Sequence, residues 1–300
     1  GQITPGGLIA ASILSSKAVQ PLGQIATMLA RLAAVRTAYQ QLTRLMNDAS
    51  EGPGESAMRP AKVDGRIELR DVTFRYGSSA ERTLANFSLG IRAGEKVGII
   101  GRVGSGKSTI ARLILGLYEP EEGVVMVDGT DVAQLDPVAM RSRIGAALQE
   151  PVLLSGSVRD NIILDRPHID DDEMVRASTI AGAHDFLGHI SNGYDLNLAD
   201  RGEGLSGGQR QAISLARALA GKPSVLIFDE PTSAMDANTE QQLIERLKTE
   251  VADRTVIMIS HRVNLLQLVD RIVVVEAGRI THNGPRDEVL KALAQPRQAA

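Results

Sequence analysis

Residues 101–108, Gly101-Arg102-Val103-Gly104-Ser105-Gly106-Lys107-Ser108, set three glycines beside a cation and a hydroxyl, with Thr109 next. Glycines at this spacing let backbone N–H groups converge on phosphate oxygens. Lys107 then offers a mobile charge to the β and γ phosphates, and Ser108 offers its hydroxyl to Mg²⁺. Asp229 and Glu230 end the apolar run Val225-Leu226-Ile227-Phe228, so both carboxylates emerge at the C-terminal end of a buried strand, where α/β sheets bind ligands. Asp229 is placed to hold Mg²⁺, and Glu230 to orient and deprotonate a water. Leu205-Ser206-Gly207-Gly208-Gln209 opens a helical run reaching Ala220, and a Ser-Gly-Gly helix start is itself an anion-binding device. A single nucleotide cannot easily use both phosphate-binding ends of one domain. The economical arrangement is a head-to-tail pair, each nucleotide lying between Lys107 of one copy and Ser206 of the other, which makes a two-fold dimer.

The scaffold follows from hydrophobic periodicity. Ile67, Leu69, Val72 and Phe74, then Phe87, Leu89 and Ile91, alternate as half-buried strands do, with a turn expected around Gly77-Ser78-Ser79. A small antiparallel sheet should therefore open the domain. Short apolar runs at 97–100, 225–228, 256–259 and 272–275 alternate with helical patterns, which predicts an α/β core of buried parallel strands. The phosphate loop directly follows the first of these runs and leads into a helix over 109–117, the strand–loop–helix context in which its pattern acquires meaning.

The chain has 300 residues, 43% of them apolar, enough for a full core with an appendage. Its formal charge of −3 is uneven: residues 1–46 carry Lys17, Arg31, Arg36 and Arg44 with no acid, leaving −7 to the remainder. The absence of cysteine excludes disulfides and thiolate metal sites and suits a reducing compartment. Beginning at Gly1 with no basic n-region and cleavage site, the chain reads as a piece of something longer without a signal peptide.

Residues 5–46 are helical in pattern, about 60 Å at ~1.5 Å per residue. Leu8, Ile9, Ile13, Leu14, Val19 and Leu22 make an apolar stretch interrupted by Ser12, Ser15, Ser16 and Lys17, short of the roughly 20 clean residues of a standalone membrane span, though a span lining a polar pathway tolerates such residues. Beyond Pro21, Ile25, Met28, Leu32, Val35, Tyr39, Leu42 and Met46 recur every three or four residues as one stripe. The arginines past the apolar stretch put this end in the cytoplasm by the positive-inside rule. Two readings stand: a membrane helix with a cytoplasmic extension, or an amphipathic helix packed on its own domain. Residues 47–62, with Gly52, Pro53, Gly54 and Pro60, break all periodicity as a solvated linker does, placing a domain over 63–300.

Residues from about Ile67 to Ala294 resemble a complete ATP-binding cassette of the ABC type. The resemblance implies a P-loop NTPase with a RecA-like parallel core, an antiparallel β subdomain and a helical signature subdomain. It also implies ATP with Mg²⁺ as cofactor and a homodimer of identical cassettes. By the same resemblance Tyr76 is the adenine-stacking aromatic, and Gln149, after the apolar run 144–148, is the glutamine that reaches Mg²⁺ and the water. Asp236, in Ser233-Ala234-Met235-Asp236, belongs to a loop crossing the dimer interface, and His261 is the switch histidine sensing the γ phosphate. His168, His184, His189 and His282 lack such a context and read as solvated or structural. One stretch departs from the exporters of the family: Leu198-Ala199-Asp200 stands where they carry a Val-Gly-Glu-like sequence.

A helix running into the cassette favours a membrane exporter over an importer subunit. The interval from Ser108 to Leu205 leaves too little room for the coiled-coil insertion of soluble DNA-acting relatives, and nothing suggests nucleic acid. The N-terminal segment from Gly1-Gln2-Ile3-Thr4-Pro5 through Ser12-Ile13-Leu14, with Gln20-Pro21-Leu22 and Thr232-Ser233-Ala234-Met235-Asp236, resembles bacterial type I secretion ATPases, with lipid, peptide or drug exporters as the alternative. The resemblance implies an inner-membrane protein, its cassette facing the cytoplasm, working with its own transmembrane domain, a periplasmic adaptor and an outer-membrane channel.

Overall fold

Apolar runs too short for helices become strands, and the long run near the N-terminus becomes one helix. The computed structural model describes residues 4–47, 57–60, 62–77 and 81–294. Its contacts divide the chain into two units, Gly1–Glu51 and Gly52–Ala300.

The first unit is α1 (Pro5–Asn47), a continuous 43-residue helix with Pro21 inside it. Thr27, Thr37 and Thr43 turn their hydroxyls back onto the carbonyls of Gly23, Ala33 and Tyr39, so these polar groups are satisfied within the helix. Its large apolar side chains, from Leu8 to Met46, are exposed. Leu29 and Leu45 stand off the expected stripe and are exposed as well, so the apolar surface is broader than one seam. No helix among the described residues is long and apolar enough to cross a membrane. The membrane-helix reading of residues 1–46 therefore gains nothing from hydropathy, because Ser12, Ser15, Ser16 and Lys17 dilute the apolar stretch.

The second unit opens with β1 (Ile67–Phe74) and β2 (Leu84–Ile91), antiparallel in the register Ile67↔Ile91 and Leu69↔Leu89. Ser78 and Ser79 of the expected turn lie outside the described residues, as does most of the 47–62 linker. The described part of that linker is exposed at Met58 and Arg59 and is also tied to the domain by hydrogen bonds. Met58 N donates to Gln134 O, Asp136 N donates to Met58 O, and Arg59 pairs with Asp136 at 2.8 Å. Then come β3 (Lys96–Ile100), α2 (Lys107–Ile114), β4 (Glu122–Val127), β5 (Thr130–Asp131), α3 (Pro137–Arg141) and β6 (Ile144–Ala147). Strands β4 and β5 extend the antiparallel sheet to the order β2-β1-β4-β5.

A helical block follows: β7 (Gly156–Ser157), α4 (Val158–Ile163), α5 (Asp171–Ala181), α6 (Ala183–Leu187), β8 (Asn197–Leu198) and α7 (Gly207–Leu219). The chain returns through β9 (Val225–Asp229), α8 (Ala237–Glu250), β10 (Thr255–Ile259), β11 (Arg271–Glu276), β12 (Arg279–Pro285) and α9 (Arg286–Ala294). The main sheet runs β12-β11-β3-β10-β9-β6, parallel except for the β11–β12 hairpin.

Side chains alternate across this sheet, as strand geometry requires. Leu226, Phe228, Val256, Met258, Ile272 and Val274 enter the core beneath the helical block. Val225, Ile227, Ile257, Ile259, Val273 and Val275 enter the core shared with α2 and the antiparallel sheet. Burial on both faces is why these strands read as unbroken apolar runs.

The sheet edge β6 packs tightly on α7. A Cβ at Gly145 would meet Ala218 O at 1.9 Å and Pro223 Cγ at 2.8 Å. Gly145→Ala should therefore destabilise the fold by about 1–3 kcal/mol, read as a melting temperature several degrees lower by scanning fluorimetry. An unchanged value would show that β6 and α7 do not approach this closely.

Candidate functional site

Between β3 and α2 the chain turns within residues 101–106, and two glycines make that turn possible. Gly101, at φ 155°, has no room for a Cβ, which would lie 2.1 Å from Val275 O. Gly106, at φ 98°, precedes α2 in left-handed backbone and packs where a Cβ would meet Leu84 Cδ2 and Thr83 O, each at 2.8 Å. No side chain caps α2, so the leading N–H groups of the helix face the loop, with the positive end of its dipole behind them. Lys107 Nζ lies over the loop, donating to Gly101 O and Arg102 O at 2.8 Å each. Burial lowers its pKa, opposed by the charges of Glu230 and Asp229. Ser105 Oγ is buried without a hydrogen-bond partner, whereas Val103 at the tip is fully exposed.

Strand β9 carries Asp229 to the same sheet edge, where it is 2% exposed. Burial raises its pKa and the neighbouring Glu230 adds to that, while the Ser108 hydroxyl, Arg112 and Lys107 act the other way. Its Oδ1 has no hydrogen-bond partner. Glu230 then adopts φ 50°, a left-handed conformation that side-chain-bearing residues keep only under constraint. Its N–H donates to Ile259 O at 2.8 Å, and its Oε1 lies 2.7 Å from His261 Nδ1 and accepts from His261 N at 3.2 Å. Ser260 Oγ donates to Oε2 at 3.3 Å. The His261 ring is open to solvent while the Glu230 carboxylate is mostly covered. Gln149 is exposed just beyond β6, and the register Ala147↔Phe228 puts it at the same edge.

Tyr76 is not a free ring. Its hydroxyl lies 3.0 Å from Thr109 Oγ1 and accepts from Arg112 Nη1 at 3.1 Å, and Phe74 and Tyr118 meet it edge-on at 4.9 and 5.2 Å. It thus sits against α2, directly behind the loop.

The second phosphate-binding candidate forms its own group. Ser206 caps α7: its Oγ accepts from Gln209 N at 3.2 Å, and Ser206 N donates back to Gln209 Oε1 at 2.8 Å. Leu205 is half-buried against the helical block. The two glycines have a packing reason, since a Cβ at Gly207 would meet Ala234 Cβ at 3.2 Å and one at Gly208 would meet Ala234 O at 3.1 Å. Asp236 caps α8, accepting from Asn238 N, Thr239 N and Thr239 Oγ1, bonds that lower its pKa. Ser206, Gly207, Gly208, Gln209 and Asp236 share the wall of one open cavity of about 440 Å³.

The structure therefore gathers Lys107, Ser108, Asp229, Glu230 and His261 at one edge and the Ser206–Asp236 group at another. Sequence reasoning missed the polar side chains that hold the edge together. Gln211 on α7 is bonded to the loop after Glu230. Glu240, 3% exposed, takes Thr232 Oγ1, Asn264 Nδ2 and the guanidinium of Arg262, which follows His261. Gln211 lies only two residues past the Ser206–Gln209 segment, the one signal that pointed to it.

The ABC transporter family profile matches residues 84–233. Over 97% of its length the chain is 42% identical to the cyclolysin secretion/processing ATP-binding protein CyaB of Bordetella pertussis. It is 38% identical, over the same share, to the leukotoxin export ATP-binding protein LtxB of Aggregatibacter actinomycetemcomitans. It spans 41% of the length of each of these curated relatives. Among solved structures, a bacterial Atm1-family ABC exporter with ATP bound matches 97% of this chain and 52% of its own, with a TM-score of 0.79 at 29% identity.

A buried carboxylate whose pKa is raised in the fold favours its protonated form, so its contribution to stability is present below the unfolded pKa and lost as pH rises through the folded one. Asp229→Asn should accordingly raise the melting temperature at pH 7 by a few degrees, about 2–4 °C per kcal/mol, and the gain should vanish in acid. A variant less stable than wild type at pH 7 would contradict the assignment.

Proposed function

The chain belongs to the ABC transporter family, and from that premise we propose that it is the ATP-hydrolysing cassette of an exporter that works as a two-fold dimer. The observation that carries this reading is the meeting of Lys107, Ser108, Asp229, Glu230 and His261 at one sheet edge. Lys107, which lies over the loop, moves onto the β and γ phosphates, while Gly101, Arg102, Val103, Gly104, Ser105, Gly106 and Thr109 surround them with the uncapped start of α2. The family resemblance gives Tyr76 the base to stack on, which requires its ring to leave the contacts with Thr109 and Arg112. The unpartnered Asp229 Oδ1 and the Ser108 hydroxyl make an all-oxygen pair suited to Mg²⁺, with Gln149 alongside. When bound, that ion neutralises charge developing on the phosphates.

Glu230 takes the proton of the attacking water. His261, in contact with Oε1, and Ser260, which donates to Oε2, fix the carboxylate. Ser206 of a second copy closes the site: its Oγ already accepts from Gln209 N, so its hydroxyl proton is available to a γ phosphate oxygen. Leu205, Gly207, Gly208 and Gln209 present the positive end of α7, and Asp236 borders the interface.

The relatives' names, a cyclolysin secretion/processing protein and a leukotoxin export protein, support a protein as the cargo and type I secretion as the process. The same names and the resemblance of residues 1–46 support a place at the bacterial inner membrane, the cassette on its cytoplasmic side. There it works with a transmembrane domain, a periplasmic adaptor and an outer-membrane channel. The exposed apolar side chains of α1 are suited to cover by such membrane helices.

Two variants separate the halves of the composite site. Glu230→Gln should lower ATP turnover by at least about a hundredfold and trap an MgATP-bound dimer in size-exclusion chromatography. Turnover at the wild-type rate would sink the assignment of the base. Ser206→Arg should abolish hydrolysis while leaving binding of a fluorescent ATP analogue to the isolated chain unchanged within about twofold. Loss of that binding would place Ser206 in its own copy's site rather than the partner's.

A further inference from the structure

Glu230 is held at both backbone ends, and one holder belongs to the signature helix. Its carbonyl accepts from Ser233 N at 3.2 Å and from Gln211 Nε2 at 2.9 Å. The same Nε2 donates to Ser233 Oγ at 3.1 Å, and Gln211 Oε1 accepts from Ala234 N at 3.1 Å. Gln211 is 3% exposed, so water cannot replace these bonds. The three partners also fix which way its amide faces, because a flip would set oxygen against the Glu230 carbonyl and nitrogen against the Ala234 N–H.

A residue at φ 50° relaxes toward negative φ when its surroundings release it. For Glu230 that rotation redirects the Cα–Cβ bond and carries the carboxylate away from His261, 2.7 Å distant. The Ile259 carbonyl restrains one side of the residue and Gln211 the other. Gly207 and Gly208, at the start of the same helix, lie against Ala234 in the restrained loop. The start of α7 and the loop carrying Glu230 are thus packed and hydrogen-bonded together.

We infer that Gln211 is a positioning residue that fixes the aim of Glu230 and ties it to the helix that, on the functional reading above, meets the partner's ATP. In the two-fold dimer the signature helix of one copy serves one nucleotide while Glu230 of that copy serves the other. The amide of Gln211 is then a direct mechanical link between the two ATP sites.

Two substitutions test this in the 300-residue chain. Gln211→Met is close in volume and removes all three bonds. Gln211→Glu keeps an acceptor for Ala234 N and removes the donor to Glu230. Both should lower kcat by about tenfold or more, as small misplacements of a reacting group do, with KM for MgATP within about twofold of wild type. The double variant Glu230→Gln/Gln211→Met should still be trapped as the MgATP dimer, which a merely structural role in shaping α7 would not allow. A kcat within about twofold of wild type in either folded variant, or loss of the dimer only in the double variant, overturns the inference while the functional reading stands. Wild-type chain without ATP hydrolysis, or Glu230→Gln with full turnover, overturns that reading and the inference with it.

Discussion

Charge is concentrated at one edge of a sheet whose two faces are apolar, and the arrangement around that edge follows from the constraint. Asp229 is 2% exposed, with one oxygen lacking any partner, and burial acts on the pKa of Lys107 as well as on its own. Lys107 is half-buried and donates to two loop carbonyls, whereas Asp229 is almost fully buried. Such buried, incompletely paired charge adds little stability. On the proposed function, its worth lies in holding dipoles and charges already oriented where hydrolysis develops new charge. The left-handed Glu230 belongs to the same logic, since its strain is tolerated because Ile259 and Gln211 hold its peptide groups.

What the sequence made legible is what depends on neighbours in the chain. The phosphate loop needs glycine at 101 and 106 because Val275 O and Thr83 O leave no room for a Cβ, and a strand before it with a helix after it completes a local pattern. Strands β3, β9, β10 and β11 were readable because burial on both faces writes continuous apolar runs. By contrast, β4 joins β1 in the register Ile67↔Val127 across the whole phosphate-loop unit, and no local periodicity encodes that pairing. Met58 and Arg59 look like linker residues until Gln134 and Asp136 meet them. Gln211 and Glu240 read as ordinary polar positions of amphipathic helices, and only the tertiary fold brings 230–234 and 262–264 to them. The apolar residues of α1 show the opposite limit: their spacing predicts a helix, and the helix forms, but spacing does not name its partner.

The signature segment shows how one set of residues answers to packing and to function at once. Ser206 and Gln209 satisfy each other in a capping box, which by itself explains both. Gly207 and Gly208 suit the close approach of Ala234, where a Cβ at either would be tight. Neither explanation removes the chemical surface that results. The box uses the N–H groups of Ser206 and Gln209, and those of Gly207 and Gly208 follow at the positive end of a 13-residue helix. The helix start packed against the loop after Glu230 also lines an open cavity. The close approach that suits the glycines also joins the start of α7 to the loop after Glu230.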